Sequence, residues 1–202
     1  IREKVLGSEH PDTASSYNNI GSVYWQKGEY DKALEYVIKT LEIREKVLGS
    51  EHPDTASSYN NIGSVYWQKG EYDKALEYVI KTLEIREKVL GSEHPDTASS
   101  YNCIGVVYSD KGEYDKALEF YIKALEIREK VLGSEHPDTA LSYYNIGLGY
   151  SKKGEHESAI KYLKKAWYTF KAKLGEEHPY TLDTREIINK VLCDWKLNNG
   201  AD

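Results

Sequence analysis

The sequence predicts an all-α fold, a solenoid of stacked antiparallel helix pairs. Three observations predict it. Residues 1–42 recur unchanged as 43–84, follow the same frame as 85–126, and drift further as 127–168. Within each copy, apolar residues return at helical spacing between glycines and prolines that hold the same places. A lone helix pair with such stripes cannot bury them, whereas stacked copies bury them in one continuous core.

The elements follow in order. Residues 1–7 read as a helix stub, the tail of an incomplete second helix. Helix pairs are expected at about 11–48, 53–90, 95–132 and 137–174, with a capping helix at about 179–197, all in a single array over 1–202. The second copy shows the logic. Its first helix is expected from Pro53 to Lys69, with Ala56, Tyr59, Ile62, Gly63 and Tyr66 on one inward stripe. Tyr59 and Tyr66 are both read as core. Gly70 stops that helix, and the link around Gly70 and Glu71 is too short for anything but an antiparallel hairpin. The second helix is expected from Tyr72 to Leu90, with Ala75, Leu76, Tyr78, Val79, Leu83, Ile85, Val89 and Leu90 as its apolar face and Gly91 at its end. The third copy differs at positions such as Cys103, Val106, Ser109, Asp110 and Phe120. The last helix puts Arg185 and Asn189 where earlier copies have Tyr and a close-packing Gly, as the polar outer face of a cap requires.

The stretch LGSEHPDT at 6–13 returns at 48–55, 90–97 and 132–139, and as LGEEHPYT at 174–181. Its glutamate, histidine and aspartate raise the question of a metal or acid/base site. A zinc ion needs about four ligands near 2 Å. Copies a helix pair apart are separated by roughly 10–20 Å, given interaxial distances of ~8–10 Å. The stretch is read instead as punctuation. Gly49 takes a left-handed conformation, Pro53 sits in the first helical turn, and Asp54 meets the positive helix end. All five prolines of the chain fall at this place.

Composition narrows the function classes. The 202 residues are 40% hydrophobic and 30% charged, which argues for an ordered chain. A net charge of −6 with both signs interspersed argues against nucleic acid as a partner. No apolar run approaches the ~20 residues that span a bilayer, and no leader peptide is visible, so no membrane partner is expected. The chain has no Met and opens at Ile1, so it reads as a piece of a longer protein. Cys103 and Cys193 stand apart from each other and from histidine clusters, which fits a reducing, cytoplasmic compartment. No nucleophile–base pair, phosphate loop or metal cluster stands out, so no enzyme activity, cofactor or metal is expected.

The frame YNNIGSVYWQKGEYDKALEYVIKTLEI resembles the tetratricopeptide repeat, with Tyr59, Ile62, Gly63, Tyr66, Gly70, Tyr72, Ala75 and Leu83 at that family's aromatic, apolar and small positions. The usual unit has about 34 residues. The extra IREKVLGSEHPD makes this one similar to the long repeats of kinesin light chains. The resemblance implies a right-handed superhelix whose first helices line a concave groove that holds an extended peptide or a helix of a partner protein. The groove positions it implies are Asn18, Asn60 and Asn102, with Tyr144 in the fourth copy. One turn on come Ser22, Ser64, Val106 and Leu148. Trp25 and Trp67 follow, flanked by Gln68 and, in the fourth copy, Lys152. Members that clamp a carboxyl terminus or read acidic peptides use Lys or Arg there, and this chain has only Lys152.

Second readings stand beside these. Asn60 could simply solvate an exposed helix face, and Trp67 could pack on the next repeat. Asn61 reads as a local hydrogen-bonding residue, and Cys103 replaces it in the third copy. Lys69, Glu71, Asp73, Lys74, Glu77 and Lys81 read as a solvated outer face with short-range ion pairs. The function expected is a non-catalytic scaffold or adaptor that binds a protein partner. The alternatives are self-association through exposed terminal repeats, or a duplicated or engineered repeat without a groove ligand.

Overall fold

The computed structural model describes residues 7–200, apart from the side chains of 198 and 199. The stub expected at 1–7 therefore falls, but for Gly7, outside the described residues. Among these the ordered elements are helices: α1 Pro11–Gln26, α2 Tyr30–Leu48, α3 Pro53–Gln68, α4 Tyr72–Leu90, α5 Pro95–Asp110, α6 Tyr114–Leu132, α7 Pro137–Lys153, α8 His156–Leu174 and α9 Pro179–Asn199. The chain divides into two units, Ile1–Ser92 with α1–α4 and Glu93–Asp202 with α5–α9.

The turn inside each pair is closed by backbone bonds. After α3, Gly70 N–H donates to Trp67 O at 2.9 Å and Glu71 N–H to Tyr66 O at 2.9 Å. Gly70 makes this possible at φ +75°, a value that costs a residue without Cβ nothing. The junction between pairs differs from the expected left-handed cap. Gly49 sits at φ +92°, ψ +160°, an extended region open essentially to glycine alone. The next helix is capped by a histidine. His52 Nδ1 accepts from the Asp54 N–H at 3.1 Å. His10, His94, His136 and His178 act the same way at 3.1–3.2 Å. Thr55 Oγ1 donates back to Gly49 O at 2.8 Å. With Pro53 in the first turn, little of the helix end is left unsatisfied. The Glu-His-Asp grouping is thus a cap, and among the described residues no three His, Cys, Asp or Glu side chains gather as metal ligands.

In the first unit, Ala33, Leu34, Val37 and Leu41 of α2 pack on Ala56, Tyr59, Ile62 and Val65 of α3 and on Ile85 of α4. Complete burial of Ile62 is worth about 1.5–3 kcal/mol. Tyr66, expected in the core, is only half-buried and stacks on Tyr78 at 5.6 Å. Val89 is exposed, so the apolar stripe of α4 runs out before its last turn. Gly63 lets α3 and α4 touch, since a Cβ there would lie 2.8 Å from Val79 Cγ1.

Pairs are tied to one another by polar bonds. Arg44 of α2 donates to Asp54 O and Ser58 Oγ of α3, each at 2.9 Å. The Tyr59 hydroxyl donates to Glu45. In the second unit the buried Arg128 donates to Asp138 O at 3.2 Å and Ser142 Oγ at 2.8 Å, and Tyr143 pairs with Glu129. There Ala117, Leu118, Tyr121 and Leu125 of α6 form a core with Ala140, Tyr143 and Ile146 of α7 and Ala166 and Phe170 of α8. Ala159 and Leu163 of α8 pack on Ile188 and Val191 of α9. Arg185 and Asn189 of α9, the polar positions expected on its outer face, are exposed.

Candidate protein-interaction surface

Two consecutive first helices leave a furrow floored by the second helix between them. In the first unit it is an open pocket of about 360 Å³, lined by Asn18, Gly21, Ser22 and Trp25 of α1, Val37 of α2, and Asn61, Ser64 and Val65 of α3. Its floor is apolar and its walls are amides, hydroxyls and an exposed indole.

Asn61 Nδ2 donates to Asn18 Oδ1 at 2.9 Å, across 43 residues of sequence. Asn61 is therefore a bridge between repeats and not the local residue expected. After this bond the pair still offers amide protons and one carbonyl oxygen to a ligand. Ser64 Oγ spends its proton on Asn60 O at 3.0 Å and keeps its lone pairs as acceptors. Ser22 is exposed beside Trp25. Asn60 and Trp67 are half-buried and Gln68 is exposed, all three outside the lining of this pocket. The missed signal was the spacing: the bridge joins position n to the neighbouring position of the next copy, so repeat identity alone did not show it.

The second unit keeps the bridge and puts a larger side chain at the floor position. Asn145 Nδ2 donates to Asn102 Oδ1 at 2.7 Å. Tyr121 stands where Val37 does in the first unit. A Cβ at Gly105 would lie 2.6 Å from its ring, and one at Gly149 would lie 3.9 Å from it. Burial pushes the Tyr121 hydroxyl well above the ordinary phenol range, partly offset by its bond with Ser109. Val106 and Tyr144 rest half-buried against the core, and Leu148 is also half-buried. The Tyr144 hydroxyl donates to Asp183 of α9 at 2.6 Å. Lys152, the one basic position, reaches Ser109 Oγ at 3.1 Å and Asp110 Oδ1 at 3.2 Å, so its charge is already partnered.

The charged positions do more than solvate an outer face. Lys69 spans 38 residues to Asp31 at 2.6 Å and also meets Glu71 at 2.9 Å. Asp31, then Glu71, hold its ammonium above the ordinary lysine range. Lys153 repeats the arrangement with Asp115 and Glu155, both at 2.7 Å. Lys46–Glu9, Lys88–Glu51 and Lys130–Glu93 join the end of each second helix to the loop before its own pair.

A sequence model of the tetratricopeptide repeat matches residues 1–46, 12–88, 54–119 and 96–167. No curated protein matches the chain by sequence. Solved structures do match it. The nearly identical TPR-like repeats of a kinesin light chain-like protein of Podosopora anserina align with a TM-score of 0.78 and 27% identity, covering 95% of this chain and 88% of that one. BtubC (BKLC) from P. vanneervenii aligns with a TM-score of 0.72 and 25% identity over 84% and 68%. RapI in its apo form, at 22% identity and a TM-score of 0.74, shares the fold. Among the described residues no helix is long and apolar enough to cross a membrane. The helix pairs, their 42-residue period and these matches converge: the chain belongs to the tetratricopeptide repeat family, in its long, kinesin light chain-like form.

Proposed function

We propose that the chain is a non-catalytic adaptor that holds an extended segment of a partner protein along its first helices. Repeats of this family serve protein–protein interaction in general. The observation that carries the reading is the Asn61–Asn18 bridge beside an open, apolar-floored pocket and the exposed Trp25. Bridged amides present donors and an acceptor in fixed positions, which suits a peptide backbone of any sequence. An exposed indole adds contact area at low entropic cost. Asn18, Ser22, Trp25 and Ser64 form the open part of the surface. Asn60, Trp67 and Gln68 extend it, and Asn102, Val106, Tyr144, Leu148 and Lys152 are its more apolar counterpart in the second unit. The reading includes a reducing, cytoplasmic compartment, supported by two cysteines that form no disulfide.

A peptide-display screen tests this, run in parallel on Asn61→Ala/Trp25→Ala and on Asn60→Ala/Trp67→Ala. Peptides that bind the parent and are lost, by about tenfold or more, from the first variant support the surface described. Peptides indifferent to both variants would remove it.

A further inference from the structure

Helix α8 breaks the charge pattern of the second helices before it. The outer face of α6 alternates in sign: Glu119 meets Lys123 one turn on at 2.8 Å, and Glu126 follows. The matching residues of α8, 42 positions later, are Lys161, Lys165 and Tyr168. Glu129 likewise gives way to Lys171 and Val131 to Lys173. The 19 residues of α8 thus hold five lysines and one acidic residue, Glu157. Lys171 is used by Glu176 and the Trp167 ring, and Lys173 reaches Glu135 at 3.5 Å. Among the described residues no carboxylate pairs with Lys161 or Lys165. Lys165 lies over the Tyr143 ring, 4.8 Å from its centre, and Lys161 is 5.9 Å from the centre of Tyr162. The two ammonium groups repel at i,i+4, where Glu119 and Lys123 attract. Tyr168, on the same stripe, is 63% exposed. That exposure belongs to the position: Glu119 and Glu126 are exposed on α6 although α7 and α8 pack on that helix.

We propose that the outer face of α8, centred on Lys161, Lys165 and Tyr168, is a second docking surface, and that its occupant is an acidic segment of a partner protein. Ammonium groups one helical turn apart, roughly 5–6 Å at their Cβ atoms, match the spacing of carboxylates along such a segment. Lacking internal partners, they release no ion pair when the ligand binds, so the attraction is gained in full. The Tyr168 phenol adds contact area and a hydroxyl beside them. A nucleic acid suits the face less well, because a net charge of −6 over the chain repels a phosphate backbone that runs on past this short stripe. The surface is independent of the pocket between α1 and α3, whose lining carries no charged side chain.

Fluorescence anisotropy of a labelled octaglutamate peptide tests this on the full chain. The parent is expected to bind it, less tightly as salt rises. Lys161→Glu/Tyr168→Glu gives α8 the two acidic side chains that α6 already carries. It is therefore expected to keep the helical circular dichroism and melting of the parent while losing affinity by about tenfold or more. Lys161→Gln, which removes one charge, is expected to weaken binding in the same direction. Asn61→Ala/Trp25→Ala is expected to bind octaglutamate as the parent does, so the two surfaces are tested apart. A parent that ignores octaglutamate overturns the proposal, and so does a folded double variant that binds as the parent does. An oligothymidylate that binds more tightly than octaglutamate, and is lost from the double variant, would make the occupant a nucleic acid and overturn it as well.

Discussion

His136 caps α7 with a ring nitrogen, and the strength of that cap can be read by replacing it. The backbone N–H of Asp138 loses its acceptor in His136→Ala, which is expected to destabilise the second unit by about 0.5–2 kcal/mol in urea unfolding. His136→Asn, which presents an oxygen at similar reach, is expected to recover most of the loss. Proline and aspartate at this junction were legible because their preference for the first helical turn is strong. The histidine was not, because its grouping with acids suggests a metal before it suggests a cap. A second residue-scale expectation concerns alkali. Burial raises the Tyr121 hydroxyl in the folded chain, so the unfolded chain releases that proton first. The stabilisation is complete below the unfolded value of about 10 and declines as pH rises beyond it. Tyr121→Phe is expected to flatten the fall of melting temperature above that pH.

At the scale of helices, close approach outweighs intrinsic preference. Alanine is the better helix former by about 1 kcal/mol, yet Gly63→Ala puts a Cβ 2.8 Å from Val79 Cγ1 and 3.3 Å from Ala75 O. Backbone cannot give way as a side-chain tip can. A net loss of about 1–3 kcal/mol is expected by thermal unfolding. Gly63, Ile62 and Ala56 were legible as a packed stripe because their spacing is helical. Tyr66 and Val89 were not, because spacing gives direction around a helix but not how far its neighbours extend. The pocket was half legible. Asn18, Ser22, Trp25 and Ser64 follow from repeat position, whereas the parts of Asn61 and Tyr121 depend on which side chains meet across repeats.

For the molecule, a linear array draws its stability from units and their interfaces in turn. The first unit contains its own control, since α1 and α3 share every intrinsic exchange rate. Amides of α1 are expected to exchange faster than the matching amides of α3, because only α3 has its face covered. Equal protection would mean that something covers α1 in solution. Mass spectrometry cannot separate the two identical peptides, so segmentally labelled NMR is the measurement to use. Family and fold class were legible at this scale because period and motif repeat so often. The division into two units was not, since residues 43–84 and 85–126 follow one frame across it.

Every junction also carries its own spectroscopic reporter. Five of the six histidines hold Nδ1 against a backbone N–H, and this locks each ring in the tautomer with its proton on Nε2. A ring released from its cap exchanges tautomers freely, and its nitrogen shifts move. Five imidazole signals, assigned one by one, would thus show which joint of the chain comes apart first on heating.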